Sequence, residues 1–237
     1  MRSFVIKLKG QQKPEVEALR NSIKDTKSKL EFNIWEATTP DTFQRDLNRL
    51  KHLDPKDWKW TWPTNQRQDG LDMKTGVYKF MYQAAFQEKK VATSLSHVSL
   101  WDACVQMDEP IVIFEADALL TRRFDPEDMG NYDVVGLNDP RGATRRANLF
   151  HMTVSKQKGI HKVPTVNTVD EPPMPQGLAG HSAYYITPNG AKKLLDRIPD
   201  IGMWPNDAYM CKELFPWIRV VYPYYTRVQG TKSTTTR

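Results

Sequence analysis

The pattern of apolar and polar positions along the chain predicts short strands that alternate with helices. Compact apolar runs are typical of buried strands, whereas apolar residues three and four positions apart indicate an amphipathic helix. Strands are predicted at residues 4–8, 32–35, 111–114, 133–137, 182–186 and 218–222. Helices are predicted at residues 14–26, 41–50, 95–107, 188–198 and 206–215. This alternation predicts an α/β fold.

Capping residues mark two of the helix starts. Ser94 precedes the 95–107 run and Thr187 precedes Pro188, and hydroxyls at such positions accept bonds from the free N–H groups of a first turn. Residues 138–175 show little periodicity. A stretch of that length in a compact domain predicts a functional loop or a mobile lid.

The composition is that of a soluble globular enzyme. The 237 residues are 39% hydrophobic and 26% charged, enough for one large α/β domain or two small ones with a buried core. No apolar run is long enough to span a bilayer, and charges interrupt the first residues, so we expect a cytoplasmic protein without a signal peptide. Cys104 and Cys211 lack the spacing of a zinc site or disulfide framework and are expected to be reduced.

The basic residues are concentrated in two stretches of the chain. The formal net charge is +6, and residues 140–169 hold six Lys and Arg but no acid. The chain after Glu213 again lacks acids. Such one-signed loops favour an anionic partner, namely a sugar nucleotide, a phosphorylated glycan or nucleic acid. A basic surface that only aids solubility is an equal alternative for either stretch.

Two carboxylates follow the apolar strand at residues 111–114. Glu115 and Asp117 would point to the same side if the strand continued. The carboxyl ends of strands are where open α/β sheets bind ligands. Two like charges taken out of water need a cation or hydrogen-bond donors, and a divalent metal ion is the obvious candidate. The alternative is an ordinary strand exit into a polar loop.

Aromatic and histidine side chains offer further candidates. Trp60 and Trp62 lie in a predicted loop, where they could pack against the core or provide faces on which a sugar or base stacks. His97 lies on the first turn of its predicted helix, where a single histidine is more often a packed core residue than a catalyst. His181 follows a glycine-containing approach to a strand. It could ligate a metal, touch phosphate or make a structural hydrogen bond.

Several segments, in order along the chain, match the motifs of one known family. They are residues 4–8 (FVIKL), 92–97 (ATSLSH), 100–101 (LW), 111–117 (IVIFEAD), 124 (F), 132–135 (YDVV), 183–187 (AYYIT), 190–195 (GAKKLL) and 207–209 (DAY). Together they resemble glycosyltransferase family 25, which includes lipopolysaccharide glycosyltransferases and relatives of the collagen galactosyltransferases. Where that family usually has Glu-Asp-Asp, this chain has Glu115-Ala116-Asp117, and where it often has Gly-Cys this chain has Ala92-Thr93.

The resemblance implies a fold and a chemistry. The expected fold is a single A-type glycosyltransferase domain over residues 1–237, with a Rossmann-like mixed sheet flanked by helices and a basic flexible loop at about residues 138–175. The expected donor is a nucleotide sugar such as a UDP-sugar, bound with Mn²⁺ or Mg²⁺ at an Asp-x-Asp-like site. The missing middle carboxylate at Ala116 leaves the metal geometry as the weakest part of this expectation.

Roles can be assigned at the matching positions. Asp117 is the expected direct metal ligand, with Glu115 orienting ribose or a metal-bound water and His181 as a further ligand. Asp207, which matches the family's downstream Asp, is the expected base for inverting transfer, with a plain helix N-cap as its alternative. Donor binding is assigned to Leu8, Thr38, Ser96, His97 and Glu115. Acceptor or phosphate binding is assigned to Arg141, Arg145, Arg146, Trp60, Trp62 and Arg227.

Three functions remain open at this point. The first is metal-dependent, inverting transfer of a sugar to a glycan such as lipopolysaccharide. The second keeps the reaction but uses a hydroxymethylated base in DNA as the acceptor, as phage-type enzymes do, which would require a basic surface and base flipping. The third is a non-catalytic binding module on a decayed glycosyltransferase fold. The sequence gives no indication of the oligomeric state.

Overall fold

A computed structural model describes residues 1–10, 13–82, 86–142, 146–166, 173–178 and 180–230. The strands are β1 (Arg2–Lys7), β2 (Glu31–Glu36), β3 (Gly70–Asp72), β4 (Val77–Lys79), β5 (Ile111–Glu115), β6 (Ala118–Leu120), β7 (Val134–Gly136), β8 (Gly159–Lys162), β9 (Ala183–Ile186), β10 (Arg219–Tyr222) and β11 (Thr226–Val228). The helices are α1 (Pro14–Asp25), α2 (Phe43–Leu47), α3 (Gln87–Met107), α4 (Ala147–Val154), α5 (Pro188–Ile201) and α6 (Asn206–Tyr209). Within the described residues, none of the helices combines the length and apolar character needed to cross a bilayer.

Seven of the described strands form the main sheet, in the order β2-β1-β5-β9-β7-β10-β8. Strand β1 pairs in parallel with β2 and β5, whereas β9 runs antiparallel to both β5 and β7. The predicted mixed sheet is therefore confirmed. The pairs β3–β4 and β6–β11 lie outside this sheet and were not predicted.

Alternate residues of the central strands pack on opposite faces of the sheet. Phe4 and Ile113 belong to the apolar cluster that includes α3 and α5, whereas Val5 and Phe114 belong to the cluster that includes α1. This division follows from the two-residue period of a strand. A strand buried on both faces reads as a continuous apolar run, which is why residues 111–114 were recognisable as a central strand.

Helix starts were predicted with mixed success. Thr187 caps α5 as predicted, because its Oγ1 accepts a bond of 3.1 Å from the Gly190 N–H. The prediction that Ser94 caps a helix was wrong, since α3 begins at Gln87 and the Ser94 hydroxyl donates to the Lys90 carbonyl inside the helix. The first turns of α3 are polar and carry no apolar stripe, so periodicity missed them.

The prediction of a continuous loop at about residues 138–175 was wrong as well. This segment contains α4, which buries Phe150 and Val154 one helical turn apart, and β8, which pairs antiparallel with β10 at the edge of the sheet. Both elements are short, and their apolar residues are too few to show a period. Residues 143–145 and 167–172 lie outside the described residues, and the predicted flexibility stays a prediction.

Candidate functional site

The strand order places a crevice at the carboxyl ends of β1 and β5. Strand β2 lies on one side of β1 and β5 on the other, so this boundary is a topological switch point, where open α/β sheets bind ligands. Ile6 of β1 is level with Glu115 at the end of β5. Asp117 lies in the turn that follows. Both predicted carboxylates are thus located at the edge of the crevice.

Asp117 presents a buried carboxylate oxygen without a partner. Its Oδ1 has no hydrogen-bond partner among the described residues, while its backbone oxygen accepts a bond of 2.9 Å from the Gln229 N–H. Burial, and then the charge of Glu115, raise the pKa of Asp117 to about 6. The strand ends before Asp117, so the same-side argument does not apply, but the effect of the Glu115 charge on Asp117 places the two carboxylates within electrostatic range of each other.

Ala116 occupies the place where the family usually has an acid. Its side chain packs against the apolar cluster on the α1 side of the sheet. In the described part of the chain, no three His, Cys, Asp or Glu side chains form a group that could hold a metal ion. The predicted ligand set of Asp117, Glu115 and His181 is therefore not assembled as a three-residue site, and metal binding stays a prediction.

His181 lies just before β9 and is buried, with its ring centroid 6.1 Å from that of Tyr184. Burial, and then the neighbouring His97, lower the pKa of His181 to about 3. Neither ring nitrogen has a hydrogen-bond partner among the described residues. His181 is consequently an uncharged side chain behind the crevice at neutral pH.

A chain of polar contacts leads from the core to Glu115. The indole Nε1 of Trp101 donates to the Tyr184 hydroxyl at 2.8 Å, and this hydroxyl lies 2.9 Å from His97 Nδ1. His97 Nε2 lies 3.4 Å from Glu115 Oε1, longer than a close hydrogen bond. His97 is fully buried, whereas the Glu115 side chain is 38% exposed.

The donors and acceptors of this chain determine the tautomer of His97. The Trp101 indole can only donate, so the Tyr184 oxygen accepts that bond and keeps its own hydrogen for another partner. His97 Nδ1 is the acceptor within reach, which leaves the imidazole hydrogen on Nε2. If Nδ1 carried it, a lone pair on Nε2 would face the Glu115 carboxylate. The network therefore places the hydrogen on Nε2, the ring nitrogen that lies 3.4 Å from Glu115 Oε1, although these two atoms are not hydrogen-bonded in this structure.

The predicted donor-binding residues divide into two groups. Leu8 and Thr38 follow the carboxyl ends of β1 and β2, beside the crevice. The Thr38 N–H donates 2.9 Å to the Ser96 hydroxyl, which itself donates 3.1 Å to the Ala92 carbonyl. Ser96 and His97 are fully buried, so in this structure they pack beneath the carboxyl edge of the sheet. Their contact with the sugar donor stays a prediction.

Asp207 lies in the first turn of α6, with Pro205 in the N-cap position, so the plain N-cap alternative is not what the structure shows. The side chain is exposed to solvent, although the surrounding protein partly desolvates its carboxylate. This desolvation raises the pKa of Asp207, Lys90 partly offsets the rise, and Glu115 adds to it. Asp207 and Glu115 therefore lie within electrostatic range of each other.

Gly177 controls the position of Asp207. A Cβ atom at Gly177 would collide with the Asp207 carbonyl oxygen. The segment around Gly177 also pairs with the chain after α6, since Gly177 forms an antiparallel bridge with Cys211 and the Gln176 carbonyl accepts from the Lys212 N–H at 3.1 Å. The glycine is therefore needed for close backbone approach rather than for a turn.

Two residues near Asp207 were not identified from the sequence. Lys90 Nζ lies 4.5 Å from the centroid of the Tyr82 ring. Burial lowers the pKa of Lys90 while Asp207 raises it, and burial with a smaller effect of Asp207 raises the pKa of Tyr82. Lys90 was missed because the start of α3 was misplaced, and Tyr82 had no motif around it.

The predicted acceptor-binding or phosphate-binding arginines have different surroundings. The guanidinium of Arg141 pairs with Asp139 at 2.7 Å, and Arg146 Nη1 donates to the Val166 carbonyl at 2.9 Å. Arg227 is exposed on β11, two residues before the Gln229 N–H that bonds the Asp117 turn. Arg145 lies outside the described residues.

Trp60 and Trp62 lie apart from these arginines, beside Trp204. Trp62 is buried, with its ring centroid 5.4 Å from that of Trp204. Trp60 is half-buried and forms a parallel bridge with Met203. Both tryptophans therefore take part in core packing, the commoner of the two roles considered.

A mixed sheet with carboxylates at its switch point and a further acid nearby places the protein among α/β enzymes whose site lies at the carboxyl edge of the strands. The family model described as glycosyltransferase family 25 (LPS biosynthesis protein) matches residues 1–210. The chain belongs to this family, and it is a glycosyltransferase. No curated protein matches the chain. The match extends from β1 to α6 and includes Glu115, Asp117 and Asp207, so the resemblance carried by the motifs is confirmed.

Proposed function

We propose that this glycosyltransferase moves a sugar from a nucleotide-sugar donor to a hydroxyl of a glycan such as lipopolysaccharide, with inversion at the anomeric carbon. Family membership supports the transferase reaction and the glycan acceptor. The observation that carries the proposal for the site is the pair Glu115 and Asp117 at the switch point between β1 and β5. In this proposal the donor diphosphate lies in that crevice.

Asp117 would hold the divalent metal ion, Mn²⁺ or Mg²⁺. Its unpartnered Oδ1 is the hard oxygen ligand that these cations prefer, and such ions keep several waters. One protein carboxylate together with two donor phosphates is therefore a sufficient ligand set. The bound ion would stabilise the negative charge of the leaving diphosphate as a Lewis acid. Glu115, which lies beside His97, would orient the ribose or a metal-bound water.

Asp207 would act as the general base that removes the proton from the attacking hydroxyl. A base works best when its pKa lies near the operating pH, and burial raises the pKa of Asp207 in that direction. Lys90, whose charge opposes this rise, limits it. The accessibility of the side chain leaves room for an acceptor hydroxyl.

The other two functions considered have less support. Arg141 and Arg146, in the loop expected to bind an anionic acceptor, are engaged with Asp139 and the Val166 carbonyl. Neither the family nor the site favours a DNA acceptor, and family membership supports an enzyme rather than a decayed binding module.

A donor and acceptor screen tests the proposal. The protein would be incubated with a panel of nucleotide sugars and Mn²⁺, with lipopolysaccharide or hydroxymethylcytosine DNA as acceptor. Released nucleoside diphosphate and the mass of the acceptor would be measured, and the anomeric configuration of the product would be read by NMR. We expect inverted product on the glycan. Product on DNA alone, retained configuration, or no release from any donor would each contradict the corresponding part of the proposal.

A further inference from the structure

A second concave surface lies outside the proposed donor crevice. An open pocket of about 480 Å³ lies between the segment around Trp60 and Trp62 and the β3–β4 hairpin. This volume is within the range of small-molecule sites, about 300–1,000 Å³. The pocket does not touch Glu115 or Asp117 and is therefore distinct from the proposed donor crevice.

Aromatic side chains link the pocket to the surroundings of Asp207. The Trp62 ring centroid lies 5.2 Å from that of Tyr82. Lys90 Nζ lies 4.5 Å from the centroid of the Tyr82 ring. Burial, and to a smaller extent the charge of Asp207, raise the pKa of Tyr82. Tyr82 thus lies between Trp62, which lines the pocket, and the surroundings of the proposed base. A chain of sugar residues with one hydroxyl at Asp207 would extend past Tyr82 towards Trp60 and Trp62.

The charges of the pocket are compensated within the protein. Lys79 forms an ion pair with Asp72, and its ammonium group also lies 4.3 Å from the centroid of the Trp204 ring. These are the two charged side chains among the residues that line the pocket. Because they neutralise each other, the pocket offers little attraction to a phosphate group.

The uncharged lining suits a hydroxyl-rich ligand. Gln68 Oε1 accepts bonds from the N–H and hydroxyl of Thr64, at 2.8 Å and 3.0 Å. The amide NH₂ of Gln68 has no protein acceptor among the described residues and can donate to a ligand hydroxyl. The half-buried indole of Trp60 supplies an apolar face against which the C–H face of a sugar ring can pack, with the buried Trp62 behind it. Aromatic faces combined with a few polar groups are typical of small-molecule sites.

We propose that this pocket is an acceptor subsite that binds an uncharged hexopyranose unit of an oligosaccharide, at a distance along the acceptor from the hydroxyl that is glycosylated. The inference rests on the proposed function for the direction of the acceptor, but not for binding itself. It identifies the acceptor as an oligosaccharide longer than one sugar. It keeps for Trp60 the acceptor-binding role expected from the sequence, whereas the buried Trp62 supports the pocket from behind.

Gly70 offers a way to close the pocket without disturbing the core. Gly70 lines the pocket, a Cβ atom there would meet nothing within 4 Å, and its φ is outside the left-handed region. Gly70→Phe would fill the pocket with a ring, whereas Gly70→Ala is the matched control with the same backbone change. If Gly70→Phe fails to fold, Trp60→Leu removes one indole face and tests the same contact.

Calorimetric titration without donor measures the binding. The probe is the core oligosaccharide released from lipopolysaccharide by mild acid and then dephosphorylated. We expect the wild type and Gly70→Ala to bind it equally, and Gly70→Phe to bind at least about tenfold more weakly, a loss typical of removing a central contact. Nucleoside diphosphate release from donor alone should be the same in all three proteins.

The outcomes separate the subsite from the reaction. If Gly70→Phe binds as the wild type does, the subsite is refuted. Donor turnover by a wild type that does not bind the oligosaccharide would refute the subsite and leave the transferase intact. Binding that is lost in Gly70→Phe, with no turnover in any protein, would support the subsite and contradict the proposed function. Tighter binding of the phosphorylated oligosaccharide through this pocket would refute its selectivity for uncharged sugar.

Discussion

Replacing His97 by glutamine or asparagine tests how Glu115 is held at the crevice. The amide nitrogen of glutamine reaches the position of Nε2, so His97→Gln keeps a donor towards Glu115. The amide of asparagine reaches only the position of Nδ1, so His97→Asn keeps a polar contact with Tyr184 and loses the donor. Both changes remove a fully buried ring, which makes each the control for the other.

The size of the effect follows from the contact between His97 and Glu115. A hydrogen bond to a charged group contributes about 1.5–3 kcal/mol. Nε2 and Oε1 are 3.4 Å apart and not hydrogen-bonded in this structure, so the contact would reach the lower limit only once a bound donor brings the two atoms together. A loss of about 1.5 kcal/mol in the transition state lowers kcat/KM roughly tenfold. We therefore expect His97→Asn to be roughly tenfold less active than His97→Gln, with similar midpoints of thermal unfolding.

Two measurements check this reasoning. Donor turnover gives the ratio of kcat/KM between the variants, and ¹⁵N NMR of histidine-labelled wild type shows which ring nitrogen carries hydrogen. We expect hydrogen on Nε2 of His97 and none on Nδ1. Hydrogen on Nδ1 would refute the assigned tautomer of His97, and equal activity of the two variants would refute a role for its Nε2–H group in holding Glu115.

Two further predictions concern the surroundings of the site. Gly177→Ala forces the Asp207 backbone to move, because the new Cβ atom would collide with the Asp207 carbonyl oxygen, and should lower kcat roughly 10²-fold, the cost of misplacing a catalytic group by about 1 Å. Gly70→Ala, whose Cβ atom meets nothing within 4 Å, is the control and should match the wild type. An equal loss of kcat in both variants would contradict this role of Gly177. The folded pKa of His181, about 3, lies below the unfolded value of about 6.5, so its contribution to stability is present above pH 6.5 and is lost as pH falls. Denaturant unfolding should show that, from pH 7 to pH 5, the free energy of unfolding of the wild type falls by about 2 kcal/mol more than that of His181→Phe. The two proteins are compared because the raised pKa of Asp117 changes stability in the opposite direction, and does so equally in both.

The strands that build the crevice were predictable because they are buried on both faces. Residues 111–114 and 182–186 are nearly continuous apolar runs, a pattern that depends little on the rest of the chain. The β3–β4 and β6–β11 pairs were not predictable in this way, since each strand has only three residues, too few to show an alternation of apolar and polar positions. The two strands of the β6–β11 pair also lie far apart in the sequence. Tertiary pairing, rather than local propensity, produces them.

The candidate site shows the same division between local and tertiary signals. Glu115 and Asp117 follow a strong strand, and their position at the sheet edge was predicted from that strand. Lys90 and Tyr82 come near Asp207 through the packing of α3 and α6, which no local pattern records. The burial of His97 reflects its position behind the sheet edge, and a single histidine in a helix gives no sign of which partner it meets.

Asp117→Asn tests the central claim, that the carboxylate after β5 supports departure of the nucleoside diphosphate. The change preserves size and removes the charge that burial opposes, so the folded protein should be at least as stable as the wild type at pH 7. Release of nucleoside diphosphate from the preferred donor with Mn²⁺ should fall on the order of 10²–10³-fold, since metal stabilisation of transition-state charge contributes several kcal/mol. Asp41→Asn, at an exposed position, is the control and should be as active as the wild type. Release by Asp117→Asn at the wild-type rate would contradict the claim.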